Sequence, residues 1–141
     1  MAGERKAERL KALRLVLDSG AVIALARGEQ RVRAYIARAR ELSATVELPV
    51  VVLAETVRGG PRDAAVHRVL NAVGSTPPAD ERHGRLAGAL LGAARSTATI
   101  DALVVAHAVA RGGAIVLTGD PDDLSRLVAR HPEVEIESLS N

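Results

Sequence analysis

Short runs of aliphatic residues alternate along this chain with longer segments that have helical periodicity. Residues 13–18 (LRLVLD) and Ala114–Thr118 predict buried strands, because they are apolar on both alternating faces. Residues 47–48 predict a very short strand, and Val134–Ser138 predicts an alternating strand at the edge of the sheet. This order favours an α/β fold, an α/β/α sandwich with a central, mainly parallel sheet.

The segments between these strands predict helices that begin and end at recognisable residues. Pro49 suits a first helical turn and Gly59–Gly60 a stop, although the β-branched residues 50–52 also fit a strand. Thr99 is placed to cap the clearest helix. The predicted helices cover residues 19–28, 30–42, 49–60, 61–72, 80–94 and 99–111, with a short one after the loop at 119–123.

The composition excludes several classes of protein. Tyr35 is the only aromatic residue, so a single-strand binder that stacks bases on exposed rings is excluded. Without cysteine, the chain has neither disulfides nor thiolate metal sites, and we expect a cytoplasmic setting. No apolar run approaches the ~20 residues of a membrane span. The expected organisation is a polar leader at 1–12 followed by one domain at 13–141.

Four acidic residues fall where ligands bind in such folds, at strand ends or on helix faces near them. Asp18 ends the first strand, Asp120 follows the strand Ala114–Thr118, Asp101 lies in a first helical turn, and Glu55 lies within an apolar helix. Taken singly, each has an ordinary interpretation, such as a helix cap, a turn or a solvated side chain. Convergence of all four would require a cation, because carboxylates repel one another.

Carboxylate oxygens without thiolates select Mg²⁺ or Mn²⁺ over zinc. Such a site can activate water for attack on a phosphodiester. The remaining residues carry an excess of basic side chains, which suits a polyanionic substrate such as RNA.

Three segments resemble PIN domains, in particular the toxin subunits of bacterial VapBC toxin–antitoxin pairs. They are LVLDSGAVIAL (15–25), LAETVRGG (53–60) and TIDALVVAHAVARGGAIVLTGDPDDL (99–124). In these motifs Asp18, Glu55, Asp101 and Asp120 match the family's four acids. The resemblance implies a Mg²⁺-dependent endoribonuclease, often acting on structured RNA such as tRNA. It also implies a VapB-type antitoxin and a toxin homodimer.

The resemblance leaves the fourth acid open and adds two supporting residues. Asp123 is the second candidate after Asp120 for this metal ligand, whereas Asp122 is expected to be solvated. Ser19 and Thr118 match small polar positions that would orient carboxylates or water, although both also fit ordinary cap and strand-end positions.

Two other functions compete with the nuclease. A phosphoacceptor or phosphatase domain needs a lysine near its acids, but Lys6 and Lys11, the only lysines, lie in the leader. A non-catalytic PIN-like module that binds RNA or protein would be expected to lack one or more acids. The four histidines lack ligand spacing, so we expect structural or surface roles for them; they are His67, His83, His107 and His131.

Overall fold

The computed structural model describes residues 14–140, which form four strands and seven helices. The strands are β1 (Arg14–Leu17), β2 (Thr45–Glu47), β3 (Ala114–Thr118) and β4 (Val134–Ser138). The helices are α1 (Ser19–Ala26), α2 (Gln30–Glu41), α3 (Val50–Thr56), α4 (Asp63–Val73), α5 (Glu81–Ala94), α6 (Thr99–Ala110) and α7 (Pro121–Leu127). The predicted leader at 1–12 lies outside the described residues.

The four strands form one sheet in the order β2-β1-β3-β4, and every neighbouring pair is parallel. Leu17 of β1 is in register with Leu117 of β3, so these two central strands end side by side. The predicted α/β class and parallel sheet are confirmed, and β4 lies at the edge as expected. The residues that follow β1 and β3 are therefore neighbours in space.

Helices cover the sheet in two groups, with α1, α2 and α4 in one and α5, α6 and α7 in the other. The central helix α6 is buried along most of its length, and its buried side chains are mainly alanine and valine. These small residues allow close packing in a core that has no large aromatic ring. No single helix among residues 14–140 is long and apolar enough to span a membrane; only the bent pair α5–α6 passes by length and composition.

Helix α3 is shorter than the sequence predicts. The carboxylate of Asp63, at the start of the next helix, explains where α3 ends. Residues 50–52 are helical rather than extended, but the helix stops at Thr56 instead of continuing to Gly60. The Asp63 carboxylate accepts hydrogen bonds from the backbone N–H groups of Arg58 (3.0 Å) and Gly59 (2.6 Å). These bonds hold the loop in a non-helical path.

Other boundaries differ by small amounts. The β2 strand runs from Thr45 to Glu47, so it overlaps the predicted strand 47–48 only at Glu47, and α4 begins at Asp63 rather than at Pro61. The prediction that Thr99 caps α6 is wrong, because Ala98 is the N-cap residue and no side chain caps the helix. The Thr99 hydroxyl instead donates to the Thr97 carbonyl at 3.4 Å.

Candidate functional site

An acidic pocket of about 210 Å³ lies beyond the carboxyl ends of β1 and β3. Four helices contribute to it, because α1 and α7 begin there, α6 presents its first turn and α3 its last. It is lined by Asp18, Ser19, Gly20, Glu55, Asp101, Val104, Gly119 and Asp120. The structure thus brings the four sequence-predicted acids to a single pocket.

Asp18 connects the end of β1 to the start of α1. It is the N-cap residue of this helix, and its Oδ1 accepts a hydrogen bond from the Ala21 N–H at 2.9 Å. The carboxylate is buried, and burial raises its pKa although the bonds from Thr118 and Ala21 oppose the rise. The sequence allows Asp18 either to cap the helix or to belong to an acidic site. In the structure it does both.

Two hydroxyl groups hold the acids in place, and both belong to residues that the sequence singled out. The Thr118 hydroxyl accepts a hydrogen bond from the Asp120 N–H at 2.9 Å and bonds to the Asp18 carboxylate. The Ser19 hydroxyl donates to Glu55 Oε1 at 2.6 Å. These contacts join β3 to α7 and α1 to α3, so the positions of three carboxylates depend on one another.

Asp101 is the acid whose proton affinity the pocket changes most. Its pKa is raised to about 6, chiefly by burial and then by the charges of neighbouring carboxylates. The strongest of these charges is that of Asp123, followed by Asp18, Asp120 and Glu55. Asp101 therefore lies in an excess of negative charge that no basic side chain of the described lining balances.

The two candidates for the fourth acid occupy different positions. Asp120 is exposed and lines the pocket, and although it is the N-cap residue of α7 its side chain makes no capping bond. Asp123 lies outside the lining and pairs with Arg126 at 2.8 Å, yet its charge still acts on Asp101. Asp122 is exposed, as expected. Glu55 is also largely exposed, so its helix only partly faces inward.

Comparison with known families decides what kind of domain this is. A PIN domain profile matches residues 15–129, which include every acid of the pocket. The chain belongs to the PIN domain family. PIN domains are generally nucleases and usually use divalent metal ions. Comparison with curated protein sequences gives no match.

Solved structures share the fold of this PIN domain at low sequence identity. The crystal structure of VapBC2 from Rickettsia felis, bound to a DNA fragment from its promoter, aligns with a TM-score of 0.71 at 14% identity, covering 89% of this chain and 98% of that one. FitAB bound to an IR36 DNA fragment gives 0.64 at 18% identity, covering 88% and 94%. FitAcB from Neisseria gonorrhoeae gives 0.61 at 19% identity, covering 86% and 95%. These likenesses concern the fold.

The lining of the pocket fits a hard divalent cation. All of its ionisable side chains are carboxylates, and among residues 14–140 no lysine, arginine or histidine lines it. In the same range, no three acidic or histidine side chains already stand at coordinating positions, so the carboxylates would have to close on an ion. Oxygen ligands of this kind suit Mg²⁺ or Mn²⁺.

A second ionic cluster, which no local pattern of residues predicts, lies away from the pocket in this PIN domain. Glu47 is only 1% exposed, and its carboxylate bonds to His107 Nε2 at 2.9 Å and to Arg111 at 2.8 and 3.2 Å. The Arg14 guanidinium lies 3.6 Å from it. These bonds lower the pKa of Glu47 against the effect of burial, whereas burial lowers that of His107. The cluster joins β1, β2 and α6.

Proposed function

We propose that this PIN domain is a metal-dependent endoribonuclease that hydrolyses RNA phosphodiesters, with Mg²⁺ or Mn²⁺ as the cofactor. The observation that carries the proposal is the convergence of Asp18, Glu55, Asp101 and Asp120 on one pocket without a balancing basic side chain. Family membership supports the nuclease part. The basic excess of the remaining residues supports a polyanionic substrate.

In this proposal Asp18, Asp101 and Asp120 are direct ligands, and Glu55 is the fourth carboxylate. Asp123 contributes negative charge from outside the lining and remains the second candidate for the Asp120 role. A bound divalent ion would supply Lewis acidity and a water of lowered pKa at the phosphodiester.

The protein contributes mainly by positioning. The Thr118 hydroxyl fixes the Asp18 carboxylate relative to the Asp120 backbone, and the Ser19 hydroxyl fixes Glu55. Since no basic side chain lines the pocket in the described part of the chain, proton transfer from the attacking water falls to a carboxylate or to solvent.

The test of the nuclease proposal is cleavage of total cellular RNA by purified protein in EDTA, in Mg²⁺ and in Mn²⁺. We expect metal-dependent cleavage that Asp101→Asn abolishes. Asp122→Asn is the matched control, because Asp122 is an exposed acid outside the pocket lining, and it should cleave like the wild type. Equal cleavage by wild type and Asp101→Asn, or no cleavage under any condition, contradicts the proposal.

We also propose that the protein is the toxin of a type II toxin–antitoxin pair, with a VapB-type antitoxin as partner and a homodimeric free form. The fold shared with the VapBC2 and FitAB complexes supports this role. Expression alone should arrest growth, and co-expression of the product of an adjacent small gene should restore it. Light scattering should give twice the chain mass. Harmless expression of protein that cleaves RNA in vitro contradicts the toxin role but leaves the nuclease proposal intact.

A further inference from the structure

A second groove of about 320 Å³ continues directly from the acidic pocket. Gly20 and Gly119 line both cavities, so the two glycines form a saddle between them. A Cβ atom built on Gly20 would lie 3.2 Å from the Gly119 backbone nitrogen and 3.4 Å from Asp18 Oδ1. A side chain at Gly20 would therefore crowd the passage that glycine leaves open.

One face of α1 forms the floor of this groove. Gly20, Ile23 and Arg27 follow one another at helical spacing, and Arg27 lies roughly 10 Å along the helix axis from Gly20. Leu139 forms the facing wall, which Arg31 holds by donating to the Leu139 carbonyl at 3.1 Å. The groove therefore leads from the acids, over an apolar surface, to a cation.

Two of its side chains, one apolar and one cationic, are exposed to solvent and available to a ligand. Ile23 is 38% exposed, one of three large hydrophobic side chains exposed among the described residues. Within residues 14–140 the Arg27 guanidinium makes neither a hydrogen bond nor an ion pair. Glu29 also lines the groove, and Arg27 supplies the only positive charge among the described lining residues.

We infer that this groove binds the nucleotide next to the scissile phosphate of a single-stranded RNA segment, with Arg27 on the neighbouring phosphate and Ile23 and Leu139 against its base or ribose. The inference rests on the proposed ribonuclease function and deepens it. Arginine matches phosphate geometry through its planar array of donors. Aliphatic contact replaces the aromatic stacking that other single-strand binders use.

The inference is tested by binding of a fluorescein-labelled single-stranded oligoribonucleotide in EDTA, measured by anisotropy at several salt concentrations. Arg27→Ala should weaken binding about 3- to 10-fold and lower the salt slope by roughly 0.7, the value for one phosphate contact on a single strand. Arg82→Ala, which removes an exposed arginine on α5, is the control and should change neither.

The apolar floor is tested in the same assay. Ile23→Ala should weaken binding at least ~3-fold. The free energy that corresponds to a ~3-fold change is only a small part of what burial of one aliphatic side chain contributes. Val50→Ala removes another exposed aliphatic side chain, 42% exposed, that lies outside both cavities, and should have no effect. Unchanged melting temperatures exclude loss of folding as the cause.

The possible outcomes distinguish failure of this inference from failure of the proposed ribonuclease function on which it rests. If the wild type binds and cleaves RNA but Arg27→Ala behaves like Arg82→Ala, the subsite is overturned and the nuclease proposal stands. If Arg27→Ala loses a protein partner while retaining RNA affinity, the groove is a protein-contact site and the inference is also overturned. If the wild type neither binds RNA in EDTA nor cleaves it with metal, both the function and the subsite fail.

Discussion

Replacing Asp101 with asparagine should make the metal-free protein more stable. The folded protein holds the proton on this carboxyl up to a pKa of about 6 rather than the ordinary 3.8, so the ionised form is disfavoured by folding. A shift of that size corresponds to at most ~3 kcal/mol at neutral pH. Because the group is only half-buried, solvent screening reduces our expectation to ~1–2 kcal/mol.

The sign of the pH dependence follows from the same shift. Between the unfolded pKa of 3.8 and the folded pKa of about 6, the folded protein binds more protons at Asp101 than the unfolded chain does. This group therefore makes stability fall as the pH rises through that window. At about pH 5 the wild-type carboxyl is mostly neutral, as asparagine is, so the advantage of Asp101→Asn should be smaller than at about pH 7.5.

Urea denaturation in EDTA at these two pH values measures the difference in unfolding free energy. Thermal denaturation at neutral pH should show a matching melting-temperature gain of roughly 3–8 °C. Mg²⁺ should then stabilise the wild type, by ~1.4 kcal/mol at ten times its dissociation constant, and the variant much less. Asp122→Asn is the control for loss of an exposed charge. A variant less stable than wild type in EDTA at neutral pH, or an equal difference at both pH values, refutes the reasoning.

Three further predictions concern the rest of the fold. Glu47→Ala breaks the buried cluster with His107 and Arg111 and should cost ~3–5 kcal/mol in urea denaturation; a loss below ~1 kcal/mol would contradict this. Burial lowers the pKa of His107, so this group should reduce stability as pH falls below the ordinary 6.5, opposite in sign to Asp101, and the difference in stability between wild type and His107→Gln should change between about pH 7 and 5; parallel profiles would exclude His107 as the source. Gly74→Ala should destabilise the protein by more than ~1 kcal/mol, because the φ angle of Gly74 is 133° and a Cβ would lie 2.7 Å from a carbonyl oxygen. Gly84 lies in open space on α5, so Gly84→Ala should stabilise by ~0.5–1 kcal/mol. Melting curves of the two variants decide the sign of each effect.

The features that sequence predicted well are those encoded by neighbouring residues. The strand Ala114–Thr118 is buried throughout and apolar up to Thr118, and parallel strands place the residues after them at one edge, so the proximity of Asp18 and Asp120 follows from topology. The position of Glu55 is harder to predict, because the sequence of a seven-residue helix does not show which of its faces points inward. Its hydrogen bond from Ser19 spans 36 positions and is set by tertiary packing.

What sequence could not predict depends on partners far along the chain. Glu47 stands in an unremarkable short strand, and its partners on α6 lie 60 and 64 positions away. Nothing local marks it as buried rather than solvated. The end of α3 depends instead on a nearby side chain, since the Asp63 carboxylate at the start of α4 competes with continued helix for the backbone N–H groups of Arg58 and Gly59.

The distribution of the acidic pocket along the chain has a consequence for biosynthesis. Its contributions come from β1 and α1 near one end of the chain and from the start of α7, with Asp18 and Asp120 both lining it. The two central strands, β1 and β3, must pair before these carboxylates meet. A nascent chain therefore has no complete acidic site until synthesis has passed Asp120 and β3 can pair with β1. Until then, the acids that have already been synthesised have no shared pocket to line.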